Sequence, residues 1–115
     1  MKTGKEIGKE LGQLRPGDTN AASLYSPPVN TKTEITKIVV ANTTGTAATF
    51  RIFIDTNGTT YDQTTAIAYD ISLAANDSVE TADSYWMADP TGNLAVRSGT
   101  ISALTFTAYG IEYTD

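Results

Sequence analysis

The side chains able to do chemistry in this 115-residue chain are carboxylates, hydroxyls and aromatic rings, because histidine and cysteine are both absent. Without histidine there is no ordinary general base near neutral pH, and without cysteine there is no thiolate nucleophile, disulfide or sulfur metal site. Ser-His-Asp and Cys-His arrangements are therefore excluded. Paired carboxylates would suffice for glycoside hydrolysis, and Asp62, Asp70, Asp77, Glu80, Asp83 and Asp89 supply the residue type. Most of these fall in turns or on outward strand positions, where an acid is ordinarily solvated. No catalytic residue is expected, and the chain reads as a non-enzyme.

Three further patterns have plainer readings. The stretch Asp55-Thr56-Asn57-Gly58-Thr59-Thr60-Tyr61-Asp62 places oxygen ligands around a glycine, as calcium loops do. Its spacing is compressed and it lacks the closing bidentate glutamate, so a plain Asn-Gly hairpin is the expectation. Gly8-Lys9 has no Ser or Thr after the lysine and no preceding strand, so it is not a phosphate loop. The rings of Tyr61, Tyr69, Tyr85, Trp86, Tyr109 and Tyr113 would serve a sugar-stacking surface, yet core and interface packing use the same residue types. No metal and no cofactor is expected.

Those side chains must be positioned by a small scaffold. The length suits one core, and 40% hydrophobic against 18% charged residues places the chain in the globular range. No run approaches the roughly 18 apolar residues of a membrane-spanning helix, and the N-terminus lacks the apolar stretch of a signal peptide. The net charge of −5 is unevenly spread. Residues 1–15 hold four basic and two acidic side chains, a sum of +2, whereas residues 16–115 hold four basic and eleven acidic ones, a sum of −7. An acidic body repels phosphate backbones, so neither nucleic acid nor membrane is an expected partner.

Residues 1–23 read as an N-terminal arm and residues 24–115 as the folded domain. Within the arm, Gly4-Lys5-Glu6-Ile7, Gly8-Lys9-Glu10-Leu11 and Gly12-Gln13-Leu14 repeat with a period of four, which sets Ile7, Leu11 and Leu14 on one helical face. Glycines at about 1 kcal/mol each make such a helix unstable alone. The segment is then either a solvated terminus or an arm ordered by a neighbouring subunit, and the second is the expectation. Ile7, Leu11 and Leu14 would anchor it, with Lys5, Lys9 and Arg15 guiding it to an acidic partner surface.

From Leu24 onward, short alternating runs separated by turn residues predict strands. Thr33–Ala41, Ala48–Asp55, Ala66–Leu73, Ser78–Thr81, Asn93–Ser98 and Ile101–Tyr113 are the clearest. Twenty threonines agree, since β-branched side chains suit a pleated surface and weaken helices. The expected architecture is all-β: an antiparallel β-sandwich, jelly-roll-like or Ig-like, with seven to eight strands and an extended N-terminal arm.

Leu11-Gly12-Gln13-Leu14-Arg15-Pro16, Ser23-Leu24-Tyr25-Ser26-Pro27-Pro28, the run from Ile38 to Arg51 and Tyr109-Gly110-Ile111-Glu112 together resemble a family of small virion structural proteins of tailed bacteriophages. The likeness covers most of residues 11–113. The chain differs in carrying Pro28-Val29-Asn30 where the family pattern has VPAG, and in its Gly-Lys-Glu repeat. The resemblance implies a capsid decoration or cement protein, assembled in the host cytoplasm, forming a homo-oligomer expected to be a trimer. It would bind the major capsid protein through its arm. A neck, tail or baseplate component is the alternative, and a carbohydrate-binding adhesion module is a further one.

Overall fold

The computed structural model describes residues 5–81 and 83–114. Lys2, Gly4 and Asp115, which enter the charge sums and the repeat above, lie outside the described residues. The threonine-rich, alternating segments form nine strands: β1 Lys5–Leu14, β2 Ala22–Tyr25, β3 Thr31–Asn42, β4 Ala48–Asp55, β5 Ala66–Leu73, β6 Ser78–Thr81, β7 Tyr85–Ala88, β8 Asn93–Ser98 and β9 Leu104–Thr114.

Pairing is antiparallel throughout and nested: β1 with β9, β2 with β8, β3 with β6 and β7, and β4 with β5. These are the successive rungs of one long hairpin. The added pairs β3 with β9 and β4 with β8 roll that hairpin into two facing sheets, β1-β9-β3-β6 and β2-β8-β4-β5. This is the jelly-roll arrangement. Strands β6 and β7 share one edge of β3, β6 along Ile38–Ala41 and β7 along Lys32–Ile35, so the edge opposite β9 is built in two pieces.

Between the sheets, Ile35, Ile38 and Val40 of β3 with Phe106 and Ala108 of β9 meet Phe50 and Ile52 of β4 with Leu94 and Val96 of β8, all buried. Phe50 and Phe106 close the gap edge to face, with ring centroids 6.4 Å apart at 73°. Phe53 points to the other face of β4 and is still buried, because Tyr61 from the loop after β4 lies 6.1 Å from it.

Three expectations need correction. First, residues 5–14 form a strand, which gives nine strands in place of seven to eight. The helical spacing of Leu11 and Leu14 arises from a β-bulge: the register with β9 slips between Glu10 and Gly12. One extra residue lets two side chains three apart both turn inward. Second, Asn57-Gly58 is not a two-residue hairpin. Only Gly58 has positive φ, whereas the tight Asn-Gly turn needs both residues there. The chain returns through a longer loop, which Asp55 caps by accepting from the Asn57 and Thr60 amides, each at 2.8 Å.

Third, the spacing of Ile67, Tyr69, Ile71 and Leu73, which would set all four on one half-buried face of a regular strand, does not do so in β5. Phe50 faces Ile71 but Ile52 faces Ala68, so Arg51 opposes both Tyr69 and Asp70, and Asp70 takes φ 53°. This bulge reverses the alternation. Leu73 is buried, while Ile67, Tyr69 and Ile71 remain exposed along the edge.

Candidate functional site

The six carboxylates considered for acid-base chemistry are each engaged by different local groups. Asp62 accepts from the Thr64 amide and hydroxyl, which hold it below the usual carboxylate range. Asp70 receives the Arg51 guanidinium in bidentate fashion at 2.6 and 3.0 Å, and that contact lowers its pKa. Asp77 accepts from the Ser78 amide, Asp89 from the Asn30 amide, and Glu80 lies 3.7 Å from Lys37. Among the described residues Asp83 is reached only by the Tyr85 hydroxyl, at 3.5 Å. Among the described residues no group of three acidic side chains could hold a metal ion, Asp55 and Asp62 included.

The aromatic set also disperses. Tyr61 covers Phe53, Tyr69 lies beneath Arg51 at 3.9 Å, Tyr85 packs partly into the core and Tyr109 is exposed. Only Trp86 and Tyr113 come together, stacked at 5.4 Å and 27°.

The six arm residues divide into two groups. Leu11 and Leu14 pack against the core of their own domain. Arg15 donates to the Thr43 hydroxyl at 2.6 Å and to the Ser102 carbonyl, closing the end of β1 over two loops. Lys9 lies 3.2 Å from Glu112 of β9. These four hold β1 to the sandwich. Lys5 and Ile7 lie on the same face of β1 as Lys9, Ile7 opposite Glu112, yet at this end of the sheet every residue from Lys5 to Glu10 is exposed.

Glu112 explains how this edge is fixed. Only 6% exposed, it accepts from the Lys9 ammonium on one oxygen and from the Tyr25 hydroxyl on the other, at 2.6 Å. The single Tyr25 proton is committed to Glu112, so the Thr33 hydroxyl, 2.6 Å away, donates to the Tyr25 oxygen. Burial, followed by the bond to Glu112, pushes the Tyr25 hydroxyl far above its ordinary pKa. A buried carboxylate is costly unless paired and hydrogen-bonded, and here both requirements are met by β1, β2 and β3 converging on β9.

The sequence reading missed Glu112 and Tyr25. An acid at an inward position between Ile111 and Tyr113 was the available signal.

Beyond Glu10 the bulge carries β1 against β2. A Cβ at Gly12 would stand 2.5 Å from the Leu24 carbonyl oxygen, so the approach of the two strands needs glycine there. From Lys5 to Glu10 the outer side of β1 is different: no other strand among the described residues pairs with it. Its backbone donors and acceptors on that side are free to join another strand. The exposed apolar side chains Ile67, Tyr69 and Ile71 mark a second open edge, on β5 of the other sheet.

Compared with known proteins, the chain matches no protein-family model, and no curated protein matches it.

Proposed function

We propose that this chain is a non-enzymatic virion structural protein of a tailed bacteriophage, a capsid decoration protein that attaches by adding its β1 edge to a strand of a shell subunit. The observation that carries the reading is the open edge from Lys5 to Glu10, held rigidly from behind by Lys9, Leu11, Leu14 and Arg15. Strand addition derives affinity from main-chain hydrogen bonds and specificity from the side chains flanking them. The alternation of Lys5, Glu6, Lys9 and Glu10 discourages indiscriminate pairing, since charges on an edge penalise any partner that does not complement them. The sequence resemblance supports the same reading. Copies join one another through the apolar β5 edge, which leaves β1 for the shell.

A Glu6→Lys, Glu10→Lys double variant tests this. Both side chains are exposed and lie on the face of β1 opposite Lys9, whose pair with Glu112 is untouched, so the variant keeps the wild-type melting temperature and the wild-type mass in solution. It is expected to be missing from particles purified after growth without the native copy. Incorporation at the wild-type level would sink the proposal. The copy number of the native protein per particle separates a shell position, with many copies, from a neck or tail ring, with few.

A further inference from the structure

We propose that the outer face of the β1-β9-β3 sheet carries a binding cleft for a neutral pyranose sugar, with Trp86 as its platform. Cross-strand register sets the site. Lys32 of β3 lies between Ala88 of β7 and Tyr113 of β9, and Trp86 reaches diagonally over β3 to stack on Tyr113. The Tyr113 hydroxyl donates to Glu34 at 3.3 Å, and the Ser84 hydroxyl donates to the other oxygen of the same carboxylate. The stack is therefore braced before any ligand arrives. Even so, Trp86 remains 48% exposed, the most open of the described aromatic side chains.

Two clefts meet at Trp86 and Lys32. One, of about 460 Å³, is bounded by Asn30, Asp89 and Tyr113, and the other, of about 440 Å³, by Thr56, Met87 and Ala88. Each falls within the roughly 300 to 1,000 Å³ range of small-ligand sites.

The polar groups around the ring are uncommitted. The Asn30 amide, the Lys32 ammonium, the Thr56 hydroxyl and one Asp89 oxygen make no hydrogen bond to the described residues, while the other Asp89 oxygen is fixed by the Asn30 backbone amide at 3.2 Å. Asn30 itself is held at φ 58°, which presents its side chain from a tight turn.

A pyranose has an apolar face of C–H groups and a rim of hydroxyls that each donate and accept. An aromatic platform fits the face, and a carboxylate, an amide, an ammonium and a hydroxyl fit the rim. A nucleotide would also stack, but Asp89 and Glu34 beside the ring and the −7 charge of residues 16–115 disfavour its phosphate. The cleft does not depend on how β1 docks.

Trp86 is the only tryptophan, so its fluorescence reads the site directly. The full chain is titrated with glucose, galactose, N-acetylglucosamine, maltose and lactose, and with adenosine monophosphate as the phosphate-bearing comparison. At least one sugar is expected to give a saturable change at millimolar concentration. Asp89→Asn and Asn30→Ala should each weaken it by about tenfold, the effect of losing one well-placed hydrogen bond. An NMR titration following the Trp86 indole N–H repeats the measurement without relying on quantum yield. The proposal is overturned if neither method shows saturation with any sugar, if only adenosine monophosphate binds, or if sugar binding is unchanged in both variants.

Discussion

Glu112 receives protons from residues 87 and 103 positions earlier in the chain, Tyr25 and Lys9. Local pattern carries no trace of such a partnership. It exists because the rolled hairpin returns β9 between β1 and β3. The hydroxyl of Tyr25 is useful there only while protonated, which gives the fold an alkaline limit. Its folded pKa lies above the unfolded value of about 10, so its contribution is complete below that pH and is lost as pH rises through the higher folded value. Tyr25→Phe should cost about 1 to 2 kcal/mol at neutral pH, because Glu112 loses a donor while remaining buried. It should also flatten the loss of stability above about pH 10, where the wild type must deprotonate that tyrosine. Urea midpoints at neutral and alkaline pH check both. An alkaline slope equal to that of the wild type would mean the network is not what limits the fold.

At the scale of elements, strands were legible wherever one face is buried without interruption. In β4, Phe50 and Ile52 alternate as the sequence pattern says, and β3 and β9 likewise announce themselves by their apolar positions. Bulges were not legible. One inserted residue made the inward leucines of β1 resemble a helical stripe, and another left Ile67 and Tyr69 of β5 outside. Glycine spacing in β1 was similarly ambiguous, since Gly8 and Gly12 look alike in the repeat but differ in surroundings.

Gly110 sits where the register of β9 with β3 slips between Ile35 and Lys37, and a Cβ on it would collide with the Glu34 carbonyl oxygen and Leu11. Gly110→Ala should therefore lower stability by about 2 to 3 kcal/mol, the upper range of overpacking penalties. Nothing lies within 4 Å of the corresponding position at Gly8, so Gly8→Ala should shift stability by no more than about 0.5 kcal/mol. Denaturant midpoints of the two variants compare them directly, and similar values would refute the packing argument.

Across the whole molecule, composition and turn spacing were enough to imply a sandwich, whereas the order of strands was not readable. Most close pairs join distant parts of the chain, and loop closure over such distances leaves no local signature. The same topology makes the N-terminal segment part of the fold. Removing residues 2–15 takes away a strand, two core-facing leucines and the Lys9 partner of Glu112, and it uncovers the long edge of β9. The truncated chain should lose about 3 kcal/mol or more and self-associate through the bared edge. A lower melting transition with a rise in light scattering is the expected result. A monodisperse chain melting at the wild-type temperature would show that β1 is dispensable.

Lys5 and Thr114 are register partners at one end of a body 54 Å long and 24 by 22 Å across. The first and last described strands thus meet at the same pole. A reporter placed after β9 would lie next to Lys5 and shield the very edge proposed to meet the shell, so a label behind β9 is no more neutral here than one ahead of β1. A tag placed at Gly45, between β3 and β4, where an added side chain meets nothing within 4 Å, avoids that pole and spares the Arg15 contact with Thr43.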